Sequence, residues 1–525
     1  MAVILSIVVF VFVLGLVILI HELGHFIFAK RANILCHEFS LGMGPILWSK
    51  RYGETLYCVR AIPIGGYVMM SGEEIDDEFV KAGEQVRLAF NSQNLIEKII
   101  LDIDDEKYED YELVTIKEID LRGIDGKPLT LNEYEVIRNA FYVVKKRELQ
   151  VSPADRGFNS KTKWQRFLAI VAGPAMNFVL AFFVFLFVNL VVGFPVTDTS
   201  VIGQVIENQP AENVLQAGDK VLFIDGIETK TWEDVSETLD LFPGKRVVEF
   251  TVLRDGETEF NLLVKPIIHF YSAGFISDPD TINELVIAGI SEEIQAGLGS
   301  DLENGDVITH VDGNAVTNWN MVIFYVEANA KLNNPDDDIK NQKKEPIEFT
   351  VLRDGAEVTA LVTSPYSSDL LESQGLSAVD SSIGIAPDMK FDFIKSIGGG
   401  FADIGSASMM IFTTLDLLFN SYEVNVGNLA GPVGIFSITS DALSQGFITL
   451  MMWVGLLSVN LGVINLLPIP ALDGGRLVFL GYEAITTKKP NKRVENTLHY
   501  VMYLMLMGLF VFITYNDILR LLNIK

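Results

Sequence analysis

Apolar residues are gathered into runs along this chain rather than spread evenly, and four runs are long enough to cross a bilayer. They are Val3–Ile20, Phe167–Val192, Phe447–Leu467 and Tyr500–Tyr515. A span needs about 20 mostly apolar residues at about 1.5 Å of rise each. The last core is short, so it is extended to about Leu521, which leaves Asn516 and Asp517 near the interface. The first run is read as a span and not as a cleaved leader. No basic segment precedes its apolar core, and no small-x-small site closes it before His21. The pattern predicts a polytopic α-helical membrane protein with four transmembrane helices.

Between the first two runs the pattern changes. Thr55–Met70 reads TLYCVRAIPIGGYVMM, apolar and β-branched residues broken by Pro63, Gly65 and Gly66. That composition predicts a hairpin. It is too apolar for an ordinary loop and is read as a membrane-associated β region, which requires burial against protein or a cavity. A surface hairpin is the alternative.

Residues 71–160 are read as an acidic cytoplasmic insert. Phe90-Asn91-Ser92 recurs as Phe158-Asn159-Ser160, which brackets an inserted module at 93–157. The tail of that module, residues 119–140, predicts a short strand, a turn at Asp125-Gly126 and a helix.

An internal repeat occupies the region between the second and third spans. Gly218-Asp219 is followed by Asp225-Gly226 and then by EFTVLRDG at Glu249–Gly256. The second copy has Gly305-Asp306, Asp312-Gly313 and the same eight letters at Glu348–Gly355. A polar loop at 333–344 accounts for the longer second copy. Each copy alternates short β-rich runs with Asp-Gly turns and carries one amphipathic stretch, Thr231–Leu241 or Asn318–Ala330. This resembles a pair of PDZ domains, at 195–268 and 269–365, which would take peptide termini as added strands or filter by size. A spacer role is the alternative. Residues 366–444 are read as a linker with an amphipathic segment, before the last two spans at 445–525.

Charge orients these pieces. The net formal charge is −28, and residues 191–400 alone carry 36 acidic against 13 basic side chains. Basic residues flank the spans: Lys30, Arg31, Lys50 and Arg51, then Lys161, Lys163 and Arg166, then Lys488, Lys489, Lys492 and Arg493. The positive-inside rule places 30–166 and 480–498 in the cytoplasm and the repeat outside. The acidic balance argues against nucleic acid as a partner. Only Cys36 and Cys58 occur, too few for a Cys-rich metal site.

The strongest chemical signal is His21-Glu22-Leu23-Gly24-His25, at the end of the first apolar run. On a helix, positions i and i+4 share a face, so His21 and His25 reach one Zn²⁺ with Glu22 beside it as base. Three such side chains facing lipid would be costly, so a cavity or a metal explains them better. A catalytic zinc usually takes a third protein ligand. The best remote candidate is Asp473, where Pro468, Pro470, Gly474 and Gly475 break the third span and turn its carboxylate inward. An interface-facing aspartate is the competing reading.

HELGH, the run Ala172-Gly173-Pro174-Ala175-Met176-Asn177, and Asn465 through Gly474 together resemble the site-2 protease family. These are intramembrane zinc metalloproteases, and the likeness is to the bacterial branch with tandem PDZ domains, in the inner (plasma) membrane. The resemblance implies zinc ligation by His21, His25 and Asp473, with Glu22 as general base. It also implies substrate binding or oxyanion stabilisation by Asn465. Asn460 is the companion asparagine, with helix packing as its competing role. The Gly65-Gly66 region resembles the loop that presents substrate as a strand, and Gly431-Pro432-Val433-Gly434 resembles a family segment outside the core. The implied substrates are single-pass membrane proteins, anti-sigma factors or remnant signal peptides, met in the context of membrane lipid. The insert at 93–157 is the main departure from the family pattern.

Overall fold

The computed structural model describes residues 2–73, 80–124, 127–144, 147–240, 247–279, 284–290, 298–330, 346–366, 371, 376–420 and 429–522. The expected turn at Asp125-Gly126 and the polar loop at 333–344 lie outside these residues. Helices are α1 (Ala2–Arg31), α2 (Lys163–Val192), α3 (Trp232–Asp240), α4 (Trp319–Ala330) and α5 (Phe393–Asn420). They continue with α6 (Pro432–Gln445), α7 (Phe447–Leu466), α8 (Asp473–Thr486) and α9 (Lys492–Leu521). Two compact units are formed. One is Met1–Leu186 with Gly400–Ser408 and Ala430–Lys525, the other Phe187–Gly399 with Met409–Leu429.

Among the described residues, four helices are long and apolar enough to span a membrane: α1, α2, α7 and α9. In hydrocarbon every backbone group must be satisfied internally, and an unbroken helix does that. α1 runs straight through HELGH and stops at Asn33, whose φ of 55° is the left-handed conformation that ends helices. Val13 and Val17 of α1 bury against Leu450 and Val454 of α7 and Ala442 of α6. Asp517 of α9 is buried, and its Oδ2 accepts the backbone N–H groups of Gly431 and Gly434 at 2.9 and 2.8 Å. The Gly-Pro-Val-Gly segment is thereby the capped start of α6.

The β region is a pair of long bent strands, β1 (Cys36–Tyr52) and β2 (Thr55–Met70), which meet twice: Ser40 lies opposite both Cys58 and Tyr67. Arg60 ties the bends together. Its guanidinium donates to Ser40 Oγ (2.8 Å), the Gly44 carbonyl (2.7 Å) and the Tyr67 hydroxyl (2.7 Å), and pairs with Glu38.

The insert is a sheet of its own. Its strands are β3 (Gln85–Phe90), β4 (Ile96–Ile100), β5 (Glu112–Thr115), β6 (Ile119–Asp120), β7 (Leu129–Leu131), β8 (Tyr134–Val144) and β9 (Arg147–Gln150). They lie in the order β5-β3-β4-β8-β7-β6, with β9 on β8, over a core that includes Leu88, Ile96, Ile99 and Leu131. The helix expected in residues 119–140 is replaced by strands. Asn132 at φ 53° turns β7 into β8, and β8 pairs in parallel with β4, a tertiary contact that overrides local propensity.

In the second unit the repeat builds two PDZ-like modules. The first has β12 (Lys220–Ile224), β13 (Ile227–Glu228), β14 (Val248–Arg254), β15 (Thr258–Val264) and α3. The second has β19 (Val307–Val311), β20 (Asn314–Ala315), β21 (Ile347–Arg353), β22 (Ala356–Val362) and α4. The repeated letters serve the same ends in both. Asp255-Gly256 opens a three-residue hairpin loop and Asp354-Gly355 forms a two-residue one, each Asp-Gly pair with positive φ. Arg254 clamps Asp219 at 2.7 and 2.7 Å, and Arg353 clamps Asp306 at 2.8 and 2.7 Å. Both aspartates are buried, so each pairing is obligatory once formed.

The modules are interleaved rather than consecutive. Strands β23 (Asp380–Ser382), β24 (Ile385–Pro387) and β25 (Met389–Lys390) return from the region expected to be linker. β24 pairs with β11 (Ile202–Val205), β25 with β10 (Phe194–Pro195), and β23 with β16 (Ile267–Phe270). β16 continues through β17 (Phe275–Ser277) to β18 (Ile287–Ile290). These are short pairings across more than a hundred residues, which local alternation does not reveal.

Candidate metal centre

α1 presents His21 and His25 one turn apart on a face that packs on α2, and both are buried. The approach depends on glycine. A methyl group on Gly24 would overlap the Ala172 carbonyl, and one on Gly173 would overlap the His25 ring. Pro174 sits inside α2 and lacks the N–H that would close its turn. One residue before the carbonyl so released, the Ala169 carbonyl accepts His25 Nδ1–H at 2.8 Å. His21 Nδ1 faces the amide of Asn177, about two turns further along α2, at 3.3 Å. Both imidazoles are thus held by Nδ1 and offer Nε2.

The third side chain arrives from the far end of the chain. After α7, Leu467-Pro468-Ile469-Pro470 cannot continue a helix, and Ala471 turns at φ 79°. The Ala471 N–H donates to His499 Nδ1 of α9 at 2.8 Å. Asp473 is then the first residue of α8, where the helix dipole favours an anion. Gly474 and Gly475 let α8 start against the loop, because side chains there would strike the carbonyls of Leu467 and Ile469. Arg166 of α2 grips Glu483 of α8 in two hydrogen bonds of 2.9 and 2.8 Å, and Arg476 of α8 pairs with Glu73 at 2.5 Å.

These elements bring three donor atoms together. His21 Nε2 lies 3.2 Å from Asp473 Oδ2, His25 Nε2 lies 3.3 Å from it, and the two Nε2 atoms are 3.2 Å apart. Asp473 Oδ2 is buried and takes no hydrogen bond. A tetrahedral zinc with bonds of about 2.0–2.1 Å separates its ligand atoms by about 3.3–3.4 Å. The observed triangle fits three ligands of one zinc, and two imidazoles with one carboxylate are a catalytic zinc donor set.

Glu22 stands beside His21, and the β1–β2 sheet passes over it: a Cβ on Gly66 would lie 3.0 Å from Glu22 Cγ and 2.9 Å from the Ser40 carbonyl. Asn460 and Asn465 both lie on α7 and are half-buried. Neither is hydrogen-bonded to the three donors among the described contacts, and Asn460 Oδ1 is buried without a partner. Asn177 and His499 are positioning residues that the sequence patterns did not assign. An asparagine in an apolar helix was the available signal for the first.

The profile of peptidase family M50 matches residues 9–509. The chain belongs to this family. A zinc metalloprotease RasP of Bacillus licheniformis is 30% identical over 527 residues, covering 98% of this chain and 99% of the relative. The RasP of Geobacillus kaustophilus is 30% identical, covering 98% and 97%. A protein of Bacillus subtilis named regulator of sigma-W protease RasP is 30% identical, covering 98% and 99%. This M50 peptidase is therefore a zinc metalloendopeptidase of the bacterial plasma (inner) membrane that cleaves membrane-embedded proteins.

Proposed function

We propose that this M50 peptidase cuts single-pass membrane proteins within the bilayer, at a site assembled from His21, His25, Asp473 and Glu22. The observation that carries this reading is the triangle of donor atoms with 3.2–3.3 Å edges, next to a glutamate and set between bilayer-length helices. Zn²⁺ bound there supplies a Lewis acid that lets water act as a nucleophile at neutral pH. Glu22 takes the proton from that water and hands it to the leaving amine. Asn465 donates its amide N–H to the oxygen of the attacked carbonyl, with Asn460 of the same helix as its companion asparagine. A substrate helix must unwind before its carbonyl is open to attack, and β2 near Gly66 holds the unwound piece as an added strand beside Glu22.

The name of the Bacillus subtilis relative ties that protein to control of a sigma factor. By that similarity the substrate of this chain is an anti-sigma factor, with remnant signal peptides as a second class of the same single-pass topology. The PDZ-like modules take the freed outer end of such a protein as a peptide terminus. The deciding experiment is Glu22→Gln in the reconstituted enzyme with a single-pass substrate. The expected result is unchanged zinc content with no product. Product at the wild-type rate would remove Glu22 from the mechanism.

A further inference from the structure

The first unit holds a partly open cavity of about 1400 Å³. Its lining includes Met43 of β1, Ala471, two residues before Asp473, and Gly66 of β2, where a Cβ would lie 3.0 Å from Glu22 Cγ, so the cavity reaches the edge of the metal centre. The insert, at Ala82 and Arg122, and the start of α9, at Lys492 and Glu495, also line it. Arg166 with Glu483 and Arg476 with Glu73 line it as well, each arginine already paired with its glutamate.

The size and lining of this space restrict what it holds. Small-molecule sites are usually about 300–1,000 Å³ and mostly apolar. Here the lining carries both signs of charge, which suits a solvated peptide better than an anionic headgroup. An extended chain is about 4.8 Å by about 10 Å in cross-section and rises about 3.4 Å per residue, so the volume holds about eight residues. A chain laid along β2 at Gly66 is already extended where it enters.

We propose that this cavity is a vestibule for the cytoplasmic flank of the substrate. It receives about eight residues next to the scissile bond as an extended chain. The insert sheet, as its wall, refuses a folded domain tethered more closely than that. The inference rests on the protease reading above and on the orientation set by the basic flanks. It gives the insert a selective task on the inner side of the membrane, at the same active site.

The test uses the full-length enzyme, zinc-loaded, in proteoliposomes. Substrates share one transmembrane segment and carry Gly/Ser linkers of about two to about twenty residues before a cytoplasmic domain that its own tight ligand locks in the folded state. With the ligand present, cleavage should fall by an order of magnitude or more once the linker is shorter than about eight residues. Without the ligand, in a variant of that domain too unstable to fold, cleavage should be independent of linker length. Equal cleavage of locked substrates at every length overturns the proposal while leaving the protease reading intact. Failure to cut a domain-free substrate overturns that reading and this inference with it. As a second arm, with a mild thiol oxidant added to take the two electrons, Ala82→Cys in the Glu22→Gln enzyme should form a disulfide with a substrate cysteine about six residues from the scissile bond. Protection of that thiol by phosphatidylglycerol vesicles, with no cross-link to substrate, would make the cavity a lipid pocket and overturn the proposal.

Discussion

Asn177→Leu isolates the outer support of one metal ligand. His21 must coordinate through Nε2, so its Nδ1 carries the proton and needs an acceptor. Asn177 is fully buried, with Nδ2 3.3 Å from His21 Nδ1 and Oδ1 unpartnered, so an amide turned to present Oδ1 accepts the Nδ1–H and gives both atoms a partner. Leucine is close in size and removes the acceptor, leaving a buried N–H unsatisfied at a cost of about 1–3 kcal/mol. At about 1.4 kcal/mol per tenfold, zinc affinity should fall about 5- to 150-fold, the range typical of outer-shell partners of metal-bound histidine. The assay is competition for zinc against a chromophoric chelator in detergent, with cleavage measured separately at saturating zinc. Asn177→Asp sharpens the test. A carboxylate is a stronger acceptor for Nδ1–H, so Asp should bind zinc at least as tightly as Asn. A purely packing role would make the buried charge the worse of the two substitutions. Zinc affinity of Asn177→Leu within about threefold of wild type would refute the reasoning.

Gly173→Ala should displace the His25 ring and lower zinc affinity by the same chelator assay, whereas Ala175→Val, exposed on α2, should not. Glu483 lies outside the spans, and its hydrogen bonds with Arg166 hold its carboxyl below the ordinary range near 4.3. A depressed carboxylate contributes stability that is complete above its unfolded pKa and is lost as pH falls through the folded value. The difference in thermal stability between wild type and Glu483→Gln should therefore be constant above about pH 5 and shrink towards pH 3. A difference that grows on acidification would contradict the ion pair between α2 and α8.

His21, Glu22 and His25 were legible because a helix places i and i+4 on one face, and the run around them fixed the helix. Asp473 was visible only as an acid at a Pro/Gly break. Its meeting with residues about 450 positions earlier in the chain is a tertiary fact that no local period encodes, and family resemblance supplied that link. Asn177 escaped a role because one polar residue in an apolar helix reads equally well as packing. The insert misled for a different reason. Residues 131–140 have a mixed polar pattern, and what makes them a strand is the partner β4, about forty residues earlier. The same holds for β24, whose partner β11 lies about 180 residues earlier, before the strands of both modules. The eight repeated letters, by contrast, announced both hairpins, since Asp-Gly turns and the Arg–Asp clamp are set largely within each copy.

The most direct measurement of the central claim is zinc stoichiometry read together with cleavage. Purified protein should hold one zinc per chain. Stripping it with a chelator should abolish cutting of a single-pass substrate in liposomes, and one equivalent of zinc should restore both together. Asp473→Asn should lose zinc and activity in proportion. Full cleavage by zinc-free protein, or wild-type zinc content in a His21→Ala, His25→Ala double variant, would contradict the account.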